Sequence, residues 1–197
     1  MSIHEHSEFW SKTFEGEDFS TDEFISKEFE GCTFIGCNLS ETSFRSCKFI
    51  DCEFIKCNLS LVKMHYSQFS DVIFRDSKAI GIDWTKAAWP RLMLSAPIQF
   101  YDCMLNDSSF YGLQLQGFVI ERCVVRGVDF RDGDFARASF KDSEFAGSMF
   151  SSTNLSAADF SNATGFDIDI FSNTINKAKF DRFEATRLLN CLEVELV

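Results

Sequence analysis

The 197-residue sequence has no apolar run approaching the ~18 residues of a membrane-spanning helix, so no helical membrane span is expected. Met1 to Trp10 lack the basic region and apolar core of a secretory signal, which makes the cytosol the expected compartment. Histidine occurs three times, at His4, His6 and His65, too few and too scattered for a metal centre. There is no GxxxxGK[ST], no GxGxxG and no HExxH, and no Ser, Cys or Lys has a base at a plausible spacing. No catalytic residue, cofactor or metal is therefore assigned, and an enzyme is the least favoured class. Lys and Arg total 19 against 30 Asp and Glu, a net charge of −11, which argues against direct binding to nucleic-acid phosphates.

Phenylalanine is abundant instead, with 24 copies, and its spacing is regular. Phe34, Leu39, Phe44, Phe49, Phe54, Leu59, Met64, Phe69 and Phe74 follow at intervals of five, and a second run extends from Leu105 through Phe130, Phe140 and Phe150 to Phe160. Five matches neither the 3.6 of a helix nor the 2 of a flat strand. It matches a chain that turns a corner after each bulky residue. Two positions before these centres the sequence prefers small residues, among them Thr42, Ser67, Ala138 and seven of the eight cysteines, all but Cys191. Each unit thus points one large and one small side chain inward. Buried thiol, rather than zinc ligand or disulfide, is the reading for those cysteines.

Four units close a square of twenty residues, and stacked squares pair as parallel β-structure ~4.8 Å apart. The expected fold is all-β: a right-handed quadrilateral parallel β-helix of about eight coils, a rod on the order of 40 Å tall, with a short C-terminal helix and strand. Three regions are expected. Residues 1–30 hold nine acidic and two basic side chains, and the polar Lys12, Glu17, Asp22 and Lys27 at the small position suggest an irregular acidic cap. Residues 31–180 form the repeat, with a one-residue register shift near 90–99, where Pro90 and Pro97 suggest a bulge exposing Trp89, Arg91 and Met93 to a partner. In 181–197, Asp181 and Glu184 form a capping box, Leu188, Leu189 and Leu192 line one helix face, and Val194 and Leu196 alternate in a strand. Such an ending on an open stack suggests a two-fold dimer contact. Sorting outward charges by a period of twenty, with that shift, puts Glu28, Glu30, Asp51, Asp71, Asp129, Asp132 and Asp169 on one mildly acidic face.

Ala158-Asp-Phe-Ser-Asn162 and Cys37-Asn-Leu-Ser-Glu41 resemble the A-[DN]-L-x-x unit of the pentapeptide-repeat proteins. The ending from Phe180 to Val197 and the stretch Ala79 to Trp84 are similar to segments of the Qnr quinolone-resistance subgroup. That resemblance implies a rod-like homodimer that imitates duplex DNA. It would bind DNA gyrase or topoisomerase IV and modulate the enzyme or protect it from quinolone-like inhibitors. Qnr proteins carry two longer projecting loops, where this sequence shows only the one-residue shift. A structural or adaptor rod for another protein partner stays open beside that reading.

Overall fold

A computed structural model describes residues 3, 5–90, 96–192 and 194. The chain winds into a parallel β-solenoid of about eight turns with one short C-terminal helix. Each turn has four sides, named here faces A to D in chain order. Face A is built from Glu8–Trp10, Glu28–Glu30, Lys48–Ile50 and Gln68–Ser70, paired in register at offsets of twenty. Face B runs from Thr13–Glu15 through Thr33–Ile35, Glu53–Ile55, Val72–Arg75 and Ile98–Tyr101 to Val119–Glu121. Face C is a column of single bridges, Asp18 to Asn38 to Asn58 to Lys78 and onward. Face D starts with Glu23–Ile25 against Ser43–Arg45 and continues through Lys63.

Two backbone facts impose this shape. The second residue after most centres carries a positive φ, from Ser11 (49°) through Glu41 (59°) to Lys177 (61°), and nine of the ten glycines sit at positive φ as well. A left-handed residue every fifth position turns the chain through a corner. The strands between corners are too short to bury anything alone, so each coil is completed by the next. Asn38 N, for example, donates to Glu17 O at 2.9 Å, and Asn58 N to Cys37 O at 3.0 Å.

The interior is a set of ring columns. Phe14, Phe34, Phe54, Phe74 and Phe100 stack at centroid distances of 4.8, 4.6, 4.9 and 4.8 Å, with interplanar angles no greater than 17°. Rings on neighbouring faces meet edge-on, as Phe44 and Phe49 do at 84°. Offset stacking down a face and edge contacts around it are the two favoured aromatic geometries. The small inward residue has its own task. Thr42 Oγ1 donates to Phe19 O (2.8 Å), Cys47 Sγ to Phe24 O (3.3 Å) and Ser67 Oγ to Phe44 O (3.0 Å). In each pair the acceptor is a centre in the preceding coil. A short side chain with one donor fits there, so Cys, Ser and Thr interchange and no buried hydroxyl among the described residues is left unpaired. All eight cysteines are free, and the seven at small positions are buried. Burial holds the thiols of Cys47 and Cys123 above their ordinary range, whereas hydrogen bonds with the stacked thiols of Cys52 and Cys57 lower Cys32 and Cys37 to about 7.

The expected irregular cap at 1–30 is corrected. The ladder already runs in register from Glu8, with Phe9, Phe19, Phe24 and Phe29 buried. Lys12 and Glu17 are exposed although they stand at the small position, because the first coil has no neighbour above to enclose them. At the other end Asp181 Oδ1 accepts from Phe183 N and Glu184 N, but Glu184 does not complete the box. Its carboxylate accepts from Gly165 N (3.2 Å) and faces Arg187 (3.8 Å). The helix that follows, Glu184–Leu192, is of the 3-10 type, and only the start of the expected terminal strand, Val194, lies within the described residues.

Phe34 is stacked from both sides and fully buried. Phe34→Ala should cost ~3–5 kcal/mol in urea unfolding. A loss below ~1 kcal/mol would contradict a ring packed between two coils.

Candidate functional site

The coil that begins on face B at Val72 is longer than the others. Val72 pairs with Ile98, Phe74 with Phe100 and Lys78 with Met104, offsets of 26 in place of 20. Trp89 still follows the old register: its ring stacks on Phe69 at 5.8 Å, and Ala88 N donates to Ser67 O. Six extra residues therefore lie between Trp89 and Phe100. The one-residue shift expected from the sequence is the remainder of six after one full unit of five. Trp89 is half-buried and its Nε1 donates to Trp84 O (2.8 Å), so it is a core ring rather than the exposed group anticipated. Arg91 and Met93 lie outside the described residues.

The extra unit rotates everything after it by one face. Glu28, Glu30, Asp51 and Asp71 do share face A, or its corner, in the first four coils. Asp129 and Asp132 belong to face D, where Asp129 bridges Ser109 and Met149. Asp169 also falls beside face D, next to Ile168, which bridges Phe150. The single acidic face of seven carboxylates is thus corrected to two separate groups.

Their electrostatics differ too. Arg131 clasps Asp129 with two hydrogen bonds of 3.0 and 2.8 Å, which holds that carboxyl below its usual range. The Asp132 carboxylate pushes the Tyr111 phenol up through a hydrogen bond. Asp102 is clasped by Arg122 at 2.8 and 2.9 Å, and Glu144 by Arg126 at 2.9 and 2.8 Å. Glu121 and Asp159 are ion-paired as well, whereas Asp107, Asp132 and Asp142 form no ion pair among the described residues. On face A of the N-terminal half Glu28 pairs with Lys48 at 2.9 Å. Glu8, Glu30 and Asp51 form no ion pair among the described residues. They share that face with the exposed Trp10. Glu8 lies directly above Glu28 in the ladder.

A second irregularity went unread in the sequence. Between Phe160 and Ile175 the centres shift: Phe166 and Ile168 are buried, Phe150 pairs with Ile168 at an offset of 18, and Asn154 with Thr174 at 20 again. The two residues regained form a bulge that leaves Phe171 74% exposed. Asn173 Nδ2 closes its base by donating to Phe150 O and Asp169 O. The signal was present in Phe166-Asp-Ile168-Asp-Ile170, where a period of two replaces five. Of the dimer residues expected at the end, Leu188 packs partly against the core, Leu189 is half-buried, Leu192 and Val194 are exposed, and Leu196 lies outside the described residues.

A four-sided rod with ladder-paired coils, a six-residue insertion and a charged N-terminal face is a scaffold that presents surface; among the described residues no group of His, Cys, Asp or Glu could hold a metal ion. Two family models match, a pentapeptide repeat region over residues 27–96 and pentapeptide repeats over 125–163. The chain belongs to the pentapeptide-repeat family. Among solved structures, a trypsin-treated form of QnrB1, a plasmid-mediated fluoroquinolone resistance protein, is 20% identical with a TM-score of 0.57, covering 96% of this chain and all of that one. HetL, from the cyanobacterium Nostoc sp. strain PCC 7120 and involved in heterocyst differentiation regulation, is 10% identical with a TM-score of 0.68, covering 89% and 86%. These likenesses concern the fold. No curated protein gave a significant match.

Deleting residues 92–97 would restore a twenty-residue coil and leave Arg91 at the corner. That variant should keep the β-type circular dichroism of the parent and melt within ~5 °C of it. Loss of cooperative melting would contradict the insertion as placed.

Proposed function

We propose that the chain is a non-enzymatic binding rod, acting in the cytosol. Its acidic N-terminal half occupies the basic, DNA-binding surface of a type II topoisomerase such as DNA gyrase, and so modulates the enzyme or shields it from quinolone-like inhibitors. The carrying observation is the acid column of face A. Glu8, Glu28 or Glu30, Asp51 and Asp71 supply at least one carboxylate on each of four consecutive coils. Coils repeat at ~4.8 Å, against ~3.4 Å between phosphates of one DNA strand, so the column approximates a dilute single strand in charge density. The net charge of −11 supports steering toward a basic surface. The whole-chain likeness to QnrB1 supports the choice of partner. A homodimer through Leu188, Leu189, Leu192, Val194 and Leu196 would carry one such column at each of its two ends, and the exposure of Leu192 and Val194 favours it.

An adaptor rod for another protein is the second reading. The exposed Phe171 favours it, as does the different role described for HetL.

Lys already occupies left-handed corners at Lys56 and Lys177, so Asp51→Lys and Asp71→Lys should fold. Wild-type protein should alter gyrase supercoiling, with and without a quinolone, in a salt-sensitive way. The double variant should bind gyrase at least ~10-fold more weakly, whereas Asp132→Lys on face D should not. An unchanged supercoiling reaction at large excess of wild-type protein would sink this function.

A further inference from the structure

A surface constellation recurs on this rod: an outward ring, an arginine over it, and a carboxylate that grips the arginine. On face B, Arg75 is the ladder partner of Tyr101 and lies 4.7 Å from its ring centre, while its Nε donates to Glu53 (2.7 Å). Arg122, from the following coil, lies 5.7 Å from the same ring and is clasped by Asp102. On face D, Arg131 lies 5.9 Å from the centre of the Tyr111 ring and is clasped by Asp129. A guanidinium on a ring face, held by a carboxylate, combines cation–π attraction with a charge-assisted hydrogen bond.

Face A holds two of the three parts at Trp10. The indole points outward and is 58% exposed. Glu30 is its direct ladder partner, one coil spacing of ~4.8 Å away, and Glu8 lies two residues back on the same side of the strand. Neither carboxylate has an ion pair among the described residues, whereas Glu28 beside them is engaged by Lys48. Of the two basic residues in the first thirty, Lys27 donates to His6 O (2.6 Å), and Lys12 lies past the corner at Ser11. No cation lies over the indole among the described residues. Glu8–Trp10 is the terminal strand of its sheet, so no preceding strand supplies one.

The charge selects the ligand. Glutamates around the ring repel nucleic-acid phosphates, which excludes base stacking on the indole. A second copy of the chain would bring the same carboxylates against Glu8 and Glu30. Lysine answers the charge, but its ammonium is strongly hydrated and has no plane to lay on the ring. Guanidinium supplies both the plane and a fork of N–H donors.

We infer that Trp10, Glu8 and Glu30 form a docking site for an arginine side chain of a partner protein. The guanidinium stacks on the indole and donates to Glu30 and Glu8, completing from outside the constellation that Arg75 and Arg131 complete from within. The site lies at the end of the acid column but does not rest on the gyrase reading, since any arginine-bearing partner fits it.

The test uses the full chain and two fluorescein-labelled twelve-residue peptides, one repeating Arg-Gly-Ser and one repeating Lys-Gly-Ser, read by anisotropy at low salt. Wild-type protein should bind the arginine peptide at least ~3-fold more tightly than the lysine peptide. Trp10→Ser should fold, because Ser70 holds the same ladder position in the fourth coil, and should erase that preference. Glu30→Gln should weaken both peptides, and Asp132→Asn on face D should leave the preference unchanged. A second readout uses the unaltered protein. The arginine peptide should shield the exposed indole from acrylamide quenching more than the lysine peptide does, over a constant background from the buried Trp84 and half-buried Trp89. No binding of the arginine peptide, equal binding of the two, a preference that survives Trp10→Ser, or equal shielding would overturn the assignment. So would sedimentation showing that Trp10→Ser dissociates an oligomer, since a second copy would then cover the indole. Neither readout involves gyrase, so failure here and failure of the supercoiling test are separate results.

Discussion

A left-handed corner every fifth residue is the constraint from which the remaining features follow. It limits each strand to about three residues, too few to hold a fold by their own ladder. Stability then has to come from what the corners bring together inside. Those are the ring columns and, where the small position is Cys, Ser or Thr, a donor that reaches back to the carbonyl of the preceding coil. Because the interior is completed coil by coil, almost every outward position is free of packing duty. The surface can therefore vary one residue at a time, and faces of one rod can acquire different characters.

Much of this was legible in the sequence because the repeat is short and the centres are nearly all Phe or Leu. The buried cysteines were legible as well, since they fall two positions before a centre, where the side chain points inward. What could not be read was the length of the long coil. A period of five reports an insertion only by its remainder, and six extra residues look like one. That ambiguity does not disturb the core, because Phe100 stacks under Phe74 as any neighbour would. It does decide which face Asp129 and Asp132 occupy. The acidic face drawn from spacing alone therefore joined residues that the fold separates.

Trp89 and Phe171 show the same limit from two sides. Trp89 precedes Pro90 and reads as a bulge residue, yet Phe69 above it offers a ring to stack on and the Trp84 carbonyl an acceptor. Phe171 reads as unremarkable, yet the chain spends Phe166 and Ile168 inside and leaves Phe171 outside. Burial in a solenoid is set by the neighbouring coil, which lies twenty or more residues away. Local pattern identifies the unit but not which neighbour it meets.

The limits of the acid column rest on that neighbour relation, so the long coil's register is the quantity to measure. Lys78 and Met104 bridge directly in the structure, whereas a one-residue shift would place Lys78 beside Gln99. Cysteines introduced at Lys78 and Met104 should form a disulfide under mild oxidation, mapped by mass spectrometry against the buried native thiols. Cysteines at Lys78 and Gln99 should not. Cross-linking of the second pair and not the first would contradict the six-residue insertion and the separation of Asp129 and Asp132 from the acid column of face A.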